Sequence, residues 1–178
     1  MLSRGIKVYL FRDITPTPFV PFAIGLLGCQ AGVMVTASHN PKQDNGYKVY
    51  WGNGCQIIPP VDKHIADHIA KPENQTPWSP DVWNLTGPFA SNVEDPLDKV
   101  YQAYYAKLAT KKHWSVPSKP VVSPPLKIVY TAMHGVGFTF AKEAAQVFEL
   151  PEMIPVLEQV KPGKSIALKV SSIPLYLT

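Results

Sequence analysis

The chain has 178 residues, enough for one domain of ordinary size with a real core plus part of another. Apolar residues make up 46% and charged residues 17%, against roughly 25% charged in an average globular chain, which excludes disorder driven by net charge. The net charge of +4 is carried almost entirely by lysine, with Arg4 and Arg12 the two arginines and no basic stripe, so nucleic acid is not an expected partner.

Nineteen prolines, about twice the usual frequency of roughly 5%, interrupt the chain too often for coiled coils or helical solenoids. Cys29 and Cys55 show no metal-ligand spacing and no secretory signal opens the chain, so free thiols and a cytoplasmic location are expected.

Val8 to Phe11 is a short apolar run suited to a strand, and Thr15-Pro16-Thr17-Pro18 then places prolines where a helix would begin. Phe19 to Val35 is apolar enough to resemble a short membrane span. Pro21, Gly25, Gly28 and Gly32 divide it, however, into an expected helix over Phe19 to about Gly28 and a strand over Ala31 to Val35 covered on both faces. Tyr47 to Trp51 and Cys55 to Ile58, separated by Gly52-Asn53-Gly54, predict a hairpin. Val61, Ile65, Ala66 and Ile69 predict an amphipathic helix over Val61 to Ala70.

Residues 71–92 lack any period and read as a long surface loop, after which a helix is expected from Val93 to the lysines at 107, 111 and 112. Seven lysines and no acid lie from Lys99 to Lys142, which reads as a solvated helix end and linker rather than an anion-binding face. Residues 114–125 are proline-rich and linker-like. Lys127 to Thr131 predicts a strand, His134-Gly135-Val136-Gly137 a turn and Phe138 to Leu150 a helix, opening a second α/β unit.

Three patterns carry little. Gly163-Lys164-Ser165 resembles the end of a P-loop, but neither Glu158 nor Gln159 supplies its first glycine. Gly135-Val136-Gly137 has Phe140 in place of the third glycine of a dinucleotide fingerprint. His64 and His68 are four apart on one helix, yet no Glu follows His64 as in zinc proteases, so they read as solvent-facing.

The sharpest feature is Thr36-Ala37-Ser38-His39-Asn40-Pro41, a polar turn at the end of an apolar strand, where α/β sheets bind ligands. A serine there suits a nucleophile or a phosphate carrier. Nearby His39 and Lys48 are titratable and cationic, and Asn40, Asn45 and Gly46 allow the backbone to turn its N–H groups toward an anion. On composition alone, an ordinary surface loop with helix-capping Ser and Asn accounts for these residues better. A serine hydrolase is a weaker alternative, because Gly-x-Ser-x-Gly is absent.

With Asn45-Gly46-Tyr47-Lys48, this turn resembles the phosphoserine loop of the α-D-phosphohexomutases, the superfamily of phosphoglucomutases and phosphomannomutases. Pro41 through Trp51, Asn53-Gly54, Gln56-Ile57-Ile58, Asp62-Lys63, Thr15 to Pro18 and His134 to Gly137 resemble its branch of phosphopentomutase-type phosphoglucomutases and glucose-1,6-bisphosphate synthases. The resemblance runs from about Val8 to Leu150.

It implies an α/β chain comprising most of a first α/β/α domain, residues 1–113 and incomplete at its N-terminus. A linker (114–125), the beginning of a second α/β domain (126–158) and an unmatched tail (159–178) follow; since Lys161-Pro162-Gly163-Lys164 leads into an apolar stretch with no evident partner element, that tail is expected to be mobile. The implied activity is intramolecular phosphoryl transfer on hexose or pentose phosphates, with Ser38, His39 and Lys48 catalytic and Asn40 and Lys48 binding substrate. Ser38, through its phosphate, would be one ligand of Mg²⁺, and a sugar bisphosphate would be the activator. Sugar phosphates are the implied partners, with association with a full-length relative also open, and no membrane.

The family's acidic metal loop, its later domains and a first-domain Gly- and Arg-containing motif have no counterpart in the sequence. The alternative to an enzyme is therefore a non-catalytic fragment that binds a sugar phosphate or a partner.

Overall fold

The computed structural model describes residues 1–38, 40–41, 43–72, 81, 84, 86–111 and 126–163. It is a mixed α/β structure in the order β1 (Val8–Tyr9), α1 (Phe19–Leu27), β2 (Ala31–Val35), β3 (Tyr47–Trp51), α2 (Val61–Ala70), β4 (Val93–Glu94), α3 (Leu97–Ala109), β5 (Ile128–Tyr130), α4 (Gly137–Val147) and β6 (Met153–Pro155). The chain packs as two units. The first comprises Met1–Ile14, Pro18–Met34 and Lys48–Val100, and the second Thr15–Thr17, Val35–Tyr47 and Tyr101–Thr178.

In the first unit the apolar run after Pro18 forms α1, which ends at Gly28 in the left-handed conformation (φ 67°), its N–H donating to the Ile24 carbonyl. Glycine adopts that cap without steric cost. Val20, Ile24 and Tyr50 form a buried cluster, with Phe11, Cys29 and Met34 packed on it. A Cβ on Gly32 would lie 2.8 Å from Val20 Cγ1 and 2.9 Å from Ile24 Cδ1, so β2 approaches α1 more closely than a side chain would permit.

That contact covers one face of β2. Its residues alternate between exposed and half-buried, with Val33 46% exposed. The expectation of a strand covered on both faces is therefore corrected: Gly32 and Met34 are half-buried on the inner face, while Ala31 and Val33 on the other are exposed. No helix of the described residues is long and apolar enough to cross a membrane.

The hairpin forms as expected, by a three-residue loop. Gly54 N–H donates to the Trp51 carbonyl at 2.8 Å, Trp51 N–H donates to the Cys55 carbonyl at 2.9 Å, and Tyr50 bridges Gln56 antiparallel. Gly54 takes the positive φ of 76°, and Asn53 Oδ1 accepts from Cys55 N–H at 2.9 Å. The glycine supplies the left-handed residue that this loop length needs, and the asparagine closes an Asx turn.

Helix α2 occupies the expected Val61–Ala70, with Lys63 paired to Asp67 at 2.7 Å across one turn. The helix expected from Val93 is displaced. Val93 and Glu94 instead pair in parallel with Val8 and Tyr9, and α3 begins at Leu97. Pro96 accounts for the shift, since it disfavours helical geometry at the residue before it yet is compatible with a helix's first turn. Asp95 Oδ1 accepts from Leu97 N–H at 3.0 Å, and the Asp95 and Asp98 carboxylates both accept from the Arg12 guanidinium, joining the segment after β1 to the start of α3.

In the second unit the Tyr101 ring packs at a tilt against both Tyr105 and Phe140, and the Tyr105 hydroxyl donates to the Phe140 carbonyl at 2.9 Å. Burial, followed by the nearby Tyr101 and Glu143, pushes the Tyr105 phenol well above its ordinary value. Strands β5 and β6 run parallel, with Ile128, Val129 and Tyr130 opposite Met153, Ile154 and Pro155, and α4 is the crossover between them. Tyr130 meets Phe138 at the start of α4.

The chain does not leave the fold at residue 159 as expected. Gln159 Oε1 accepts from the Thr131 hydroxyl at 2.6 Å, the Gln159 carbonyl accepts from His134 N–H at 2.9 Å, and Gly163 N–H donates to the His134 carbonyl at 3.0 Å. The turn after β5 has polar groups to satisfy, and residues 159–163 satisfy them. The expected mobility of residues 164–178 falls outside the described residues.

Candidate functional site

Strand β2 ends at Val35, and the chain turns back through Ser38 toward β3. Thr36 N–H donates to the Gly46 carbonyl at 2.9 Å, closing the base of the loop. Above it, Ser38 N–H donates to Thr36 Oγ1 at 3.0 Å, and Asn40 N–H donates to the Ala37 carbonyl at 3.1 Å. Asp44 N–H donates to the Pro41 carbonyl at 2.9 Å on the returning limb.

Ser38 is exposed and has a φ of 57°, in the left-handed region that L-residues other than Asn, Asp and His rarely adopt. Gly46 serves by its lack of a side chain: a Cβ there would lie 2.8 Å from the Thr36 carbonyl oxygen. The sequence alone assigns Gly46 to backbone bending toward an anion. The structure shows a close approach of two chain segments, signalled in the sequence by a glycine just before a strand.

Asn40 lies two residues after Ser38 in the same turn, and its side chain is exposed. Lys48 is half-buried on β3 and belongs to the first unit. His39 lies outside the described residues. The structure thus brings Ser38 and Asn40 into one turn, adds Thr36 and Gly46 to it as supports, and places Lys48 on the strand that the loop enters.

Among the described residues no three His, Cys, Asp or Glu side chains gather where they could hold a metal ion. One serine hydroxyl does not fit a Mg²⁺ site by itself, since that ion asks for near-octahedral oxygen ligation. His64 is exposed on α2, and neither it nor His68 belongs to a metal-binding group.

An exposed serine held at the end of a sheet strand by its own loop is placed to take a group delivered from solution, and the relatives of the chain point to which group. Residues 1–76 match the family described as phosphoglucomutase/phosphomannomutase, alpha/beta/alpha domain I. That stretch carries the first-domain sequence of the α-D-phosphohexomutase superfamily.

Within it, the human phosphopentomutase is 48% identical over 160 residues, covering 86% of this chain and 25% of that protein. The human glucose 1,6-bisphosphate synthase is 43% identical over 166 residues, covering 91% of this chain and 25% of that protein. A solved structure described as a putative phosphomannomutase from Thermus thermophilus matches with a TM-score of 0.65 at 27% identity, covering 93% of this chain and 33% of that one.

Both of these relatives fall in the branch that the sequence motifs resemble. The chain spans about a quarter of the length of these curated relatives. Their similarity covers more of the chain than the Val8 to Leu150 stretch that carries the recognisable motifs.

Proposed function

We propose that Ser38 carries a phosphoryl group in a phosphohexomutase-type transfer on hexose or pentose phosphates. The observation that carries this reading is the exposed Ser38 in left-handed geometry on a hydrogen-bonded turn at the end of β2. Support comes from relatives named as a phosphopentomutase and a glucose 1,6-bisphosphate synthase.

In the proposed reaction the phosphorus–oxygen bond to Ser38 breaks as one forms to a sugar hydroxyl oxygen, the hydroxyl proton leaves to a base, and the serine oxygen takes up a proton. The sugar bisphosphate then reorients, and its other phosphate returns to Ser38. Such a transfer needs positioning and charge stabilisation more than covalent machinery.

His39 is assigned supporting acid/base work, Lys48 charge balance and help with proton transfer, and Asn40 a hydrogen bond to substrate. Mg²⁺ would accept one hard oxygen from the phosphorylated serine. Sugar phosphates are the proposed ligands, a sugar bisphosphate the proposed activator and the cytoplasm the proposed compartment, with residues 1–113 and 126–158 as the two domains. The second reading is a non-catalytic unit that binds a sugar phosphate or a partner, such as a full-length relative.

Intact-mass analysis after incubation with glucose 1,6-bisphosphate tests the assignment. One added phosphoryl group is expected on Ser38 and none on Ser38→Ala; equal labelling of that variant on another serine would overturn it. Steady turnover of glucose 1-phosphate by this chain is expected to be far below the roughly 10 per second of an ordinary enzyme. Among the described residues there is no cluster to hold the metal.

A further inference from the structure

A serine in the left-handed region needs something to hold it there, because the backbone of an L-residue strongly prefers negative φ. At Ser38 that support comes from the Thr36 side chain, whose Oγ1 accepts from Ser38 N–H at 3.0 Å. Thr36 is itself fixed by its own N–H, which donates to the Gly46 carbonyl at 2.9 Å.

The same chain contains a second, independent case of this device. After β5, Met133 N–H donates to Thr131 Oγ1 at 3.0 Å, and Met133 has a φ of 49°. Threonine, alanine, a left-handed residue and histidine occur in the same order as Thr36-Ala37-Ser38-His39 and Thr131-Ala132-Met133-His134. The residue at the left-handed position is a serine in one and a methionine in the other. The geometry therefore follows the threonine hydroxyl two residues earlier, a known local competitor with regular secondary structure.

We infer that Thr36, through its hydroxyl, and Gly46, through its missing Cβ, are positioning residues that fix the orientation in which Ser38 presents its oxygen. This inference rests on Ser38 being the phosphoryl carrier. Thr36 touches no reacting atom in it. Its role is to hold the serine backbone rigid while the phosphoryl group arrives and leaves, so that the hydroxyl does not have to be re-oriented in each half-reaction.

The test compares Thr36→Val, of nearly the same shape but without the acceptor, with Thr36→Ser, which keeps it. Two readouts are taken on the full chain: amide exchange of Ser38 by NMR, and the rate at which glucose 1,6-bisphosphate labels Ser38. Thr36→Val should exchange the Ser38 amide about tenfold faster and label at least about tenfold more slowly, and Thr36→Ser should restore both.

Native labelling by the valine variant, or failure of the serine variant to restore it, would overturn the inference. If the native chain takes no phosphoryl group at all, the carrier assignment fails on that ground. The exchange comparison then still decides whether Thr36 holds the turn, with unchanged exchange in Thr36→Val ruling against it.

Discussion

Two turns of this chain share a backbone and differ in what they present. After β2, Thr36 holds Ser38; after β5, Thr131 holds Met133; both hydrogen bonds are 3.0 Å, and both held residues have positive φ. Beyond that point they part. In the β5 turn, His134 is also left-handed, at 63°, and its N–H and carbonyl are bound to Gln159 and Gly163. The Thr131 hydroxyl donates to Gln159 as well as accepting from Met133.

One turn is thus tied by hydrogen bonds to the chain that follows it, and its left-handed position holds a thioether with no affinity for phosphoryl groups. The other leads with an exposed hydroxyl. The comparison separates the support from the chemistry: a threonine two residues upstream sets the geometry, and the side chain at the held position decides its use.

Exchanging the held side chains is the most severe way to break this comparison. Ser38→Met should abolish labelling by glucose 1,6-bisphosphate while leaving the fold intact, since the position is exposed and a surface change there alters stability by only about 0.5 kcal/mol. Met133→Ser should gain no label, because a hydroxyl in the right backbone geometry still lacks the polar turn, with Asn40, that follows Ser38. Mass spectrometry of both variants and the native chain reads the result, and label at position 133 of the second variant would show that the turn alone suffices.

Next in size is the effect of a single methyl group at each turn's neighbouring glycine. At Gly46 the added Cβ would meet the Thr36 carbonyl oxygen at 2.8 Å, a backbone atom that can move only with the loop. At Gly137 it would meet the Tyr130 hydroxyl at 2.9 Å, the far end of a side chain that can swing away. Gly46→Ala should therefore cost about 1–3 kcal/mol, as overpacking does. Gly137→Ala should stay within about 1 kcal/mol of native or gain slightly, because alanine favours the helix that begins there. Thermal unfolding of the two variants measures the difference, and equal losses would contradict the steric account of Gly46.

The turn is legible in the sequence, but its mechanics are not. Ser38 and Asn40 stand out because a polar run interrupts an apolar strand, and α1, α2 and the hairpin follow from periodicity and from Asn53-Gly54. Strand β4 does not, because two residues carry no period and only Pro96 separates them from a strong helical pattern. Strand β6 escapes for the same reason: Met153, Ile154 and Pro155 are too short a run to distinguish from a helix tail.

The exposure of β2's outer face depends on what packs over it, which no local pattern encodes. The Thr36 support is present as a repeated order of residues at 36–39 and 131–134. A left-handed serine or methionine goes against propensity, however, so the order gains meaning only once both φ values are known.

The smallest expected effect concerns the threonines themselves, and it distinguishes their two settings. Thr131→Val would remove an acceptor for Met133 N–H and a donor to Gln159 Oε1, leaving two polar groups to find water. Thr36→Val removes one acceptor. Each hydrogen bond contributes about 0.5–1.5 kcal/mol net, and Thr131 and the groups around it are exposed enough for solvent to compensate in part. Thr131→Val should therefore destabilise the chain by about 1 kcal/mol and Thr36→Val by about half as much, read as midpoints of urea unfolding with unchanged slopes. Function should rank them the other way: Thr131→Val should label at Ser38 at the native rate, whereas Thr36→Val should not. A chain in which the more destabilising substitution also slows labelling more would tie Ser38 to overall stability instead of to the hydroxyl two residues before it.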